Sequence, residues 1–296
     1  MRFRASIVNV LTFSRIMQSI ERLQKKCIMR FTEERMDIIC NEDTDGGIQV
    51  WSQVKVDTLF EDYRIQSNAN NEISLALAPE ALLQALKSAM DASEVVMKLA
   101  KKNNHAVLNF SIVGMSHQQK RVLVSHDVRI DVLLPSDVAK LKEPLCPEPD
   151  IHIILPPLQK LRTVVDHMRQ MSDVMMIEAN HLGDLKISVE NDDVMVDTKW
   201  TKCTIPTMGE SIHVTFDSLT LEPTQDADRE EPEPSRLFYV CLSIRSFIKF
   251  LSSHVVSTTT IACICEQHCI ILYVYIGEAG DNGGVLTFYI PTRLND

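Results

Sequence analysis

The sequence predicts an α+β protein made of two similar halves. Each half opens with a short apolar strand that leads directly into an amphipathic helix. Each then continues with alternating strands, a second helix and three closing strands. Period-two alternation is clear at Ile48–Lys55, where Ile48, Val50 and Val54 share one strand face. The repeated order of elements indicates one sheet-plus-two-helix module used twice.

The elements of the first half follow from alternation and from the spacing of apolar residues. The opening strand is predicted at Phe3–Val8, and the two helices at Val10–Lys26 and Pro79–Asp91. Phe13, Ile16 and Ile20 form the apolar stripe of the first helix. Later strands are predicted at Ile73–Leu77, Val95–Leu99, Val107–Val113 and Arg121–Val132.

The second half repeats this plan. Its opening strand is predicted at Ile151–Leu155, and its helices at Pro157–Met171 and Ile244–His254. The remaining strands are predicted at Val174–Ala179, Leu185–Val189, Val194–Trp200, Ile212–Phe216, Leu237–Leu242, Thr258–Cys265, Ile270–Ile276 and Val285–Ile290.

Two proline-rich stretches divide the chain. Residues 134–150 contain four prolines and are expected to connect a first domain, residues 1–133, to a second domain, residues 151–296. The second stretch, residues 222–236, is acidic as well as rich in proline. We expect it to be a disordered surface loop.

Composition narrows the class of protein. A hydrophobic content of 45% and a charged content of 24% are typical of a soluble globular chain. No apolar run could span a bilayer, and Met1–Val8 is expected to be a first strand instead of a signal peptide. The eight cysteines lie mostly in strand-like runs, which favours a reducing compartment, cytosol or nucleus.

Positive charge is concentrated on the predicted helices although the chain carries a formal charge of −10. The four helices hold 10 basic and 4 acidic residues, which leaves a net −16 for all other residues. One basic helix face alone is usually just solvated surface, but here it recurs in both halves. A positive stripe on a negative body attracts a polyanion. The candidate residues for contact with such a polyanion are Arg15, Arg22, Lys25, Lys26, Lys87, Lys160, Arg162, Arg169, Arg245 and Lys249.

Neither a catalytic site nor a metal site is expected from the sequence. The cluster Cys263-Ile264-Cys265-Glu266-Gln267-His268-Cys269 is a single group, whereas structural zinc sites use two separated ligand pairs, so packing thiols are the preferred interpretation. His126 and Asp127 are adjacent in a strand and point to opposite faces, which disfavours a catalytic triad. With nine glycines and no phosphate-binding loop, we expect no enzyme, no metal and no cofactor.

Many short pieces of the chain, in order, resemble one known family. They are Met1–Val8, Phe13-Ser14-Arg15-Ile16, Gly46–Trp51, Asn70–Leu75, Ala85–Ala89, Ser125–Val128, Glu143–Asp150, Leu161–Asp166, Ile177–Asn180 and Phe288–Pro291. Together they resemble the Hus-type subunit of the checkpoint sliding clamp, the heterotrimeric nine-one-one complex, which is a relative of the replicative clamp PCNA. The resemblance covers nearly the whole chain.

That resemblance implies a two-domain, PCNA-like clamp fold in which each domain has two antiparallel sheets and two helices on the inner side. Three subunits would close a ring around double-stranded DNA, with edge strands of neighbouring subunits paired. By position, the interface residues would be Arg121, Val122, Val124, Val128, Val194, Val196, Thr198 and Trp200.

The implied partners are the two other checkpoint clamp subunits, an ATP-dependent clamp loader, duplex DNA, and repair and checkpoint signalling proteins. The implied location is the nucleus, with some protein in the cytoplasm. Three alternatives stay open at this point: a homotrimeric replicative processivity clamp, a scaffold that never touches DNA, and an unrecognised hydrolase.

Overall fold

The computed structural model describes residues 1–41, 47–115, 120–206, 233–257, 259–277 and 283–293. The predicted strand Ile212–Phe216 and residues 222–232 of the acidic stretch lie outside this part of the chain. Among the described helices, none is both long and apolar enough to cross a lipid bilayer.

The described first half consists of nine strands and three helices. Its strands are β1 (Arg2–Ile7), β2 (Cys27–Phe31), β3 (Arg35–Cys40), β4 (Gln49–Lys55), β5 (Phe60–Gln66), β6 (Ile73–Leu77), β7 (Glu94–Lys102), β8 (His105–Met115) and β9 (Arg121–Val132). Its helices are α1 (Val10–Glu21), α2 (Val56–Leu59) and α3 (Pro79–Ser88). The short helix α4 (Pro135–Val138) begins the connector.

The described second half follows the same order. Its strands are β10 (Ile151–Ile154), β11 (Val174–Ala179), β12 (Leu185–Glu190), β13 (Met195–Trp200), β14 (Phe238–Ser243), β15 (Thr260–Cys265), β16 (Cys269–Tyr275) and β17 (Gly284–Pro291). Its helices are α5 (Leu158–Met168) and α6 (Ile244–Leu251), and a 3₁₀ turn at Ser252–Val255 follows α6.

The strands form two antiparallel sheets within the described residues. The larger sheet has thirteen strands in the order β10-β15-β16-β17-β4-β3-β2-β6-β9-β8-β7-β1-β5, and the smaller has the order β13-β12-β11-β14. β9 joins two parts of the large sheet, because its end pairs with β6 and the rest pairs with β8. β17 pairs with β4, so the large sheet contains strands from both halves.

All four long helices are shorter than the sequence predicted. α1 ends at Glu21 instead of Lys26, because the Leu23 amide donates to the Ile20 carbonyl and closes the last turn tightly. Lys25 and Lys26 therefore lie in the link to β2. Similarly, α3 ends at Ser88, α5 at Met168 and α6 at Leu251.

The core lies between the helices and the sheet faces that they cover. Phe13 and Ile16 of α1 are fully buried, and they belong to the same apolar cluster as Phe250 of α6 and Phe288 of β17. The Phe250 and Phe288 rings meet edge to face, with centroids 5.2 Å apart. One continuous core therefore ties the helices to both halves.

Candidate nucleic-acid interface

The four long helices form one continuous layer. α1 packs against α3 in the first half, and α5 packs against α6 in the second. The two pairs meet where α1 packs on the 3₁₀ turn Ser252–Val255 that follows α6. The predicted basic helices of both halves therefore lie side by side, which places their outer faces on one surface.

Helix α1 presents Arg15 because its opposite face is committed to the core. The Asn9 side chain caps the helix, with its Oδ1 accepting from the Thr12 amide at 3.1 Å. Phe13, Ile16 and Ile20 are buried below, and Arg15 is exposed. In α3, Lys87 occupies the last turn, where a cation is stabilised by the helix dipole.

Helix α5 carries Lys160 and Arg162 opposite its buried Leu161 and Val165. Lys160 is exposed, whereas Arg162 is partly covered and its Nε lies 3.7 Å from Asp166 Oδ2 one turn later. A partly exposed surface pair of this kind adds little stability, but it lowers the local positive potential.

Helix α6 carries Arg245 and Lys249 above the buried Phe247 and Phe250. The Nη2 of Arg245 lies 3.4 Å from Oδ1 of Asp173, in the segment between α5 and β11. Lys249 lies in the last turn of α6 and is partly buried. The sequence does not identify Asp173 as a neighbour of Arg245, because Asp173 lies outside α6.

The ten predicted cations are not all helical. Within the observed helix bounds the count is six basic residues and three acidic ones, a net of +3, because helices that end earlier exclude Arg22, Lys25, Lys26, Arg169 and Asp91. The four excluded cations are exposed and follow directly after α1 or α5. They extend the layer at the helix ends.

The layer is suited to contact phosphates without recognising sequence. Eight of the ten cations form no ion pair with any described residue, and only Arg162 and Arg245 have an acidic neighbour within 4 Å there. Lysine and arginine at exposed positions reach phosphate oxygens, and such contacts carry no base information.

The two strands predicted to form subunit contacts both lie at sheet edges. β13 pairs only with β12 in the described sheet, and Arg121–Arg129 of β9 pairs only with β8. Free edges of this kind leave backbone donors and acceptors available to another chain.

The side chains at these edges differ in part from those we predicted. Val128 is 3% exposed and belongs to the core, so its side chain is not available to a neighbour. Val196 and Trp200 pack partly against the core, whereas Met195, immediately before Val196, is 56% exposed. Leu123, at 71% exposure, is a further exposed apolar residue that we did not predict, although it stands in the visible run Val122-Leu123-Val124.

The cysteines of the cluster at Cys263–Cys269 pack within an apolar group, as preferred from the sequence. Cys263, Cys265 and Cys269 lie with Ile261 and Ile271, and Cys146 of the connector packs against them. Burial raises the pKa of the Cys263 thiol to about 12. A hydrogen bond from Cys269 lowers the pKa of Cys146.

Known proteins share this sequence and this fold. The family model described as Hus1-like protein matches residues 1–293. The chain is 36% identical over 296 residues to "Checkpoint protein hus1" of Schizosaccharomyces pombe, with both chains fully covered. It is 30% identical over 270 residues to "Checkpoint protein HUS1" of Homo sapiens, with 89% of this chain and 90% of that protein covered.

Among solved structures, proliferating cellular nuclear antigen from Entamoeba histolytica matches with a TM-score of 0.70 at 14% identity, with 99% of both chains covered. At this identity the likeness shows the fold, which is the two-domain α+β clamp predicted from the sequence. The full-length sequence matches show the family: this chain belongs to the Hus1-like proteins.

Proposed function

We propose that this Hus1-like chain is one subunit of a heterotrimeric ring that encircles double-stranded DNA at sites of damage. Its family and its fold make it a checkpoint clamp subunit. The observation that carries the DNA-binding part of the proposal is the continuous helix layer, in which cations of both halves share one surface.

The mechanism is electrostatic. Exposed lysines and arginines of the layer exchange contacts with successive phosphates, and each contact displaces condensed counterions from the duplex. The individual contacts are weak, so the ring stays on DNA by closure and remains free to slide. The acidic remainder of the chain repels DNA from the outer surface.

Ring closure would use the free edges of β9 and β13. An edge of the first domain pairs with an edge of the second domain of a neighbour, which satisfies the unpaired backbone groups on both sides. We place the first domain at residues 1–133, the connector at 134–150 and the second domain at 151–296. The checkpoint names of the relatives favour a heterotrimer over a homotrimeric processivity clamp.

The further roles follow from this assignment. The ring is opened by an ATP-dependent loader, it acts in the nucleus, and it holds repair enzymes and checkpoint signalling proteins. The chain contributes binding surfaces and no catalytic group, so the proposed role requires neither a cofactor nor a metal.

The test combines assembly and DNA topology. The full chain is co-expressed with the two other presumed clamp subunits, and light scattering measures the mass of the product. Loaded rings are then followed on closed circular DNA before and after linearisation. A one-to-one-to-one ring that is lost on linearisation supports the proposal, and a stable homotrimer contradicts the heterotrimeric part.

The contribution of the helix layer is tested by replacing Lys160, Arg162, Arg245 and Lys249 with glutamine. A matched control removes the same number of charges outside the layer, at Lys140, Lys142, Arg236 and Arg293. We expect the first variant to assemble normally and to be lost from circular DNA at lower salt than the control. Equal retention of the two variants would rule out the layer as the DNA-contacting surface.

A further inference from the structure

Three cations lie in register across three neighbouring strands of the large sheet. Arg4 of β1 lies directly opposite Arg64 of β5 on one side and directly opposite Lys98 of β7 on the other. All three are exposed. We call Arg64, Arg4 and Lys98 the basic row. With neighbouring strands about 4.8 Å apart, the row spans roughly 10 Å.

The repulsion between these three cations is not neutralised by any described residue. Like charges directly opposite each other in neighbouring strands are destabilising. None of the three cations forms an ion pair with a described residue, although Glu61 and Asp62 stand on the same strand as Arg64.

The nearest acid along the same cross-strand line is already engaged. Asn109 lies opposite Lys98, and Asp127 lies opposite Asn109. The Asp127 carboxylate accepts hydrogen bonds from Lys102 Nζ and from Asn109 Nδ2, and these bonds lower its pKa. The negative charge of Asp127 is therefore compensated by Lys102 and does not neutralise the basic row.

The basic row faces away from the helix layer. Phe3, Ala5 and Ile7 alternate along β1 with the exposed Arg2 and Arg4, and these three apolar residues lie in the same core cluster as Phe13 of α1. Because successive side chains of a strand point to opposite faces, Arg4 lies on the solvent face of the sheet. A ligand there does not compete for the surface assigned to DNA.

We propose that the basic row binds an acidic segment of a partner protein. Charge complementarity identifies the ligand as an anion, and the short span of the row matches a few carboxylates better than a duplex. A long polyanion would extend beyond the basic row and be repelled by the rest of a chain whose net charge is −10. Salt screens interactions between exposed charges beyond about 10 Å, so a short peptide bound at the row would interact mainly with the three cations. The row also ends at β5, whose described partner is β1 alone, so a segment can approach from the sheet edge.

The experiment uses the full chain in the assembly in which it purifies and needs no DNA loading, so its result is separate from that of the clamp test. The probe is a fluorescent peptide of alternating glutamate and threonine, and its binding is measured by anisotropy at low and moderate salt. The variant replaces Arg4, Arg64 and Lys98 with glutamine. We expect its affinity for the peptide to fall about tenfold, which corresponds to losing three exposed charge pairs.

Two controls keep the result specific. The variant with Lys160, Arg162, Arg245 and Lys249 replaced by glutamine should bind the peptide as the unchanged protein does, and a glutamine-threonine peptide should not compete. The melting temperature of the Arg4, Arg64 and Lys98 variant should be unchanged or higher, because repulsion has been removed. Unchanged peptide affinity in that variant overturns the proposal. So does an equal loss in the helix-layer variant, or displacement of the peptide from the row by a short oligonucleotide at lower concentration.

Discussion

Trp51 of β4 lies directly opposite Thr287 of β17, in a register of six residue pairs that joins the first half to the last strand of the chain. The connector is therefore not the only link between the halves. A shared sheet resists relative movement of the halves far better than a flexible linker, because moving them would break a ladder of backbone hydrogen bonds. This junction keeps the helices of both halves in one layer.

The junction depends on a glycine. Gly284 begins β17 with φ of +136°, and a Cβ there would lie 2.4 Å from the carbonyl oxygen of Gln53 in β4. We expect Gly284→Ala to lower the free energy of unfolding by about 2 kcal/mol or more, since neither the backbone conformation nor the contact admits a side chain. Urea unfolding followed by circular dichroism measures the change.

Gly114→Ala is the matched control. Its added Cβ would meet no atom within 4 Å, so its effect should stay within about 0.5 kcal/mol. Equal unfolding midpoints for the two variants would show that the close approach of β17 to β4 does not constrain the fold.

Asp173 should weaken the binding of DNA, because its carboxylate competes with phosphate for Arg245. Its carboxylate lies 3.4 Å from Arg245 Nη2 at an exposed position. We expect Asp173→Asn to raise affinity for a short duplex and to steepen the salt dependence by about one unit of log affinity per log salt. Fluorescence anisotropy over a salt series on the assembled complex measures both quantities.

A second exposed pair supplies the control for that change. Asp137→Asn removes the carboxylate that lies 2.8 Å from Lys140 in the connector, outside the four helices of the layer. It should leave the salt dependence unaltered. If both variants steepen it equally, the effect comes from net charge and not from Arg245.

The sequence predicts elements best where apolar alternation runs unbroken. β6 and β11 have the bounds expected, and β9 matches Arg121–Val132. β5 was not predicted, because it is largely polar on its solvent face and because Asp62, with φ of +47°, stands where the β1–β5 register shifts. The pairing of β4 with β17 could not be predicted, since it joins residues more than two hundred positions apart and no local pattern encodes it.

The candidate sites likewise divide into features encoded by local spacing, which the sequence predicts, and features that depend on tertiary packing, which it does not. Cations on helices can be found from sequence because their spacing is local, so the exposure of Arg15 and Lys160 follows from the apolar stripes beneath them. The acidic neighbour of Arg245 and the burial of Val128 depend on tertiary packing. The basic row required strand registers, because Arg4, Arg64 and Lys98 are distant in sequence and meet only in the sheet.

Leu123 should contribute to subunit assembly. It is 71% exposed on the free edge of β9, so its replacement disturbs no core contact. We expect Leu123→Asp to leave the melting temperature of the chain nearly unchanged and to weaken ring formation about tenfold or more, since burying a carboxylate at an apolar contact is costly. Light scattering over a dilution series measures the assembly.

Leu145→Asp serves as the control for assembly. Leu145 is 88% exposed in the connector and belongs to neither edge strand, so its replacement should not change assembly. A Leu123→Asp complex as stable as the Leu145→Asp complex would mean that β9 does not form the subunit contact.

Cys146 should be the most readily alkylated thiol of the chain. It is partly exposed, and a hydrogen bond from Cys269 holds its pKa below the usual value, so more of it is thiolate at pH 8. Burial raises the pKa values of Cys27 and Cys263 to about 12, which keeps both thiols protonated at that pH. Iodoacetamide labelling followed by peptide mass spectrometry should therefore modify Cys146 first.

The role of Cys269 in that reactivity can be tested directly. Cys269→Ala removes the hydrogen-bond donor, so the pKa of Cys146 should rise and its labelling at pH 8 should slow by about threefold or more. Cys27→Ala changes a buried thiol elsewhere in the core and should leave the rate unchanged. If Cys146 is labelled equally fast in both variants, the connector thiol does not depend on Cys269. Equally rapid labelling of Cys263 would mean that the connector opens and exposes the sheet beneath it.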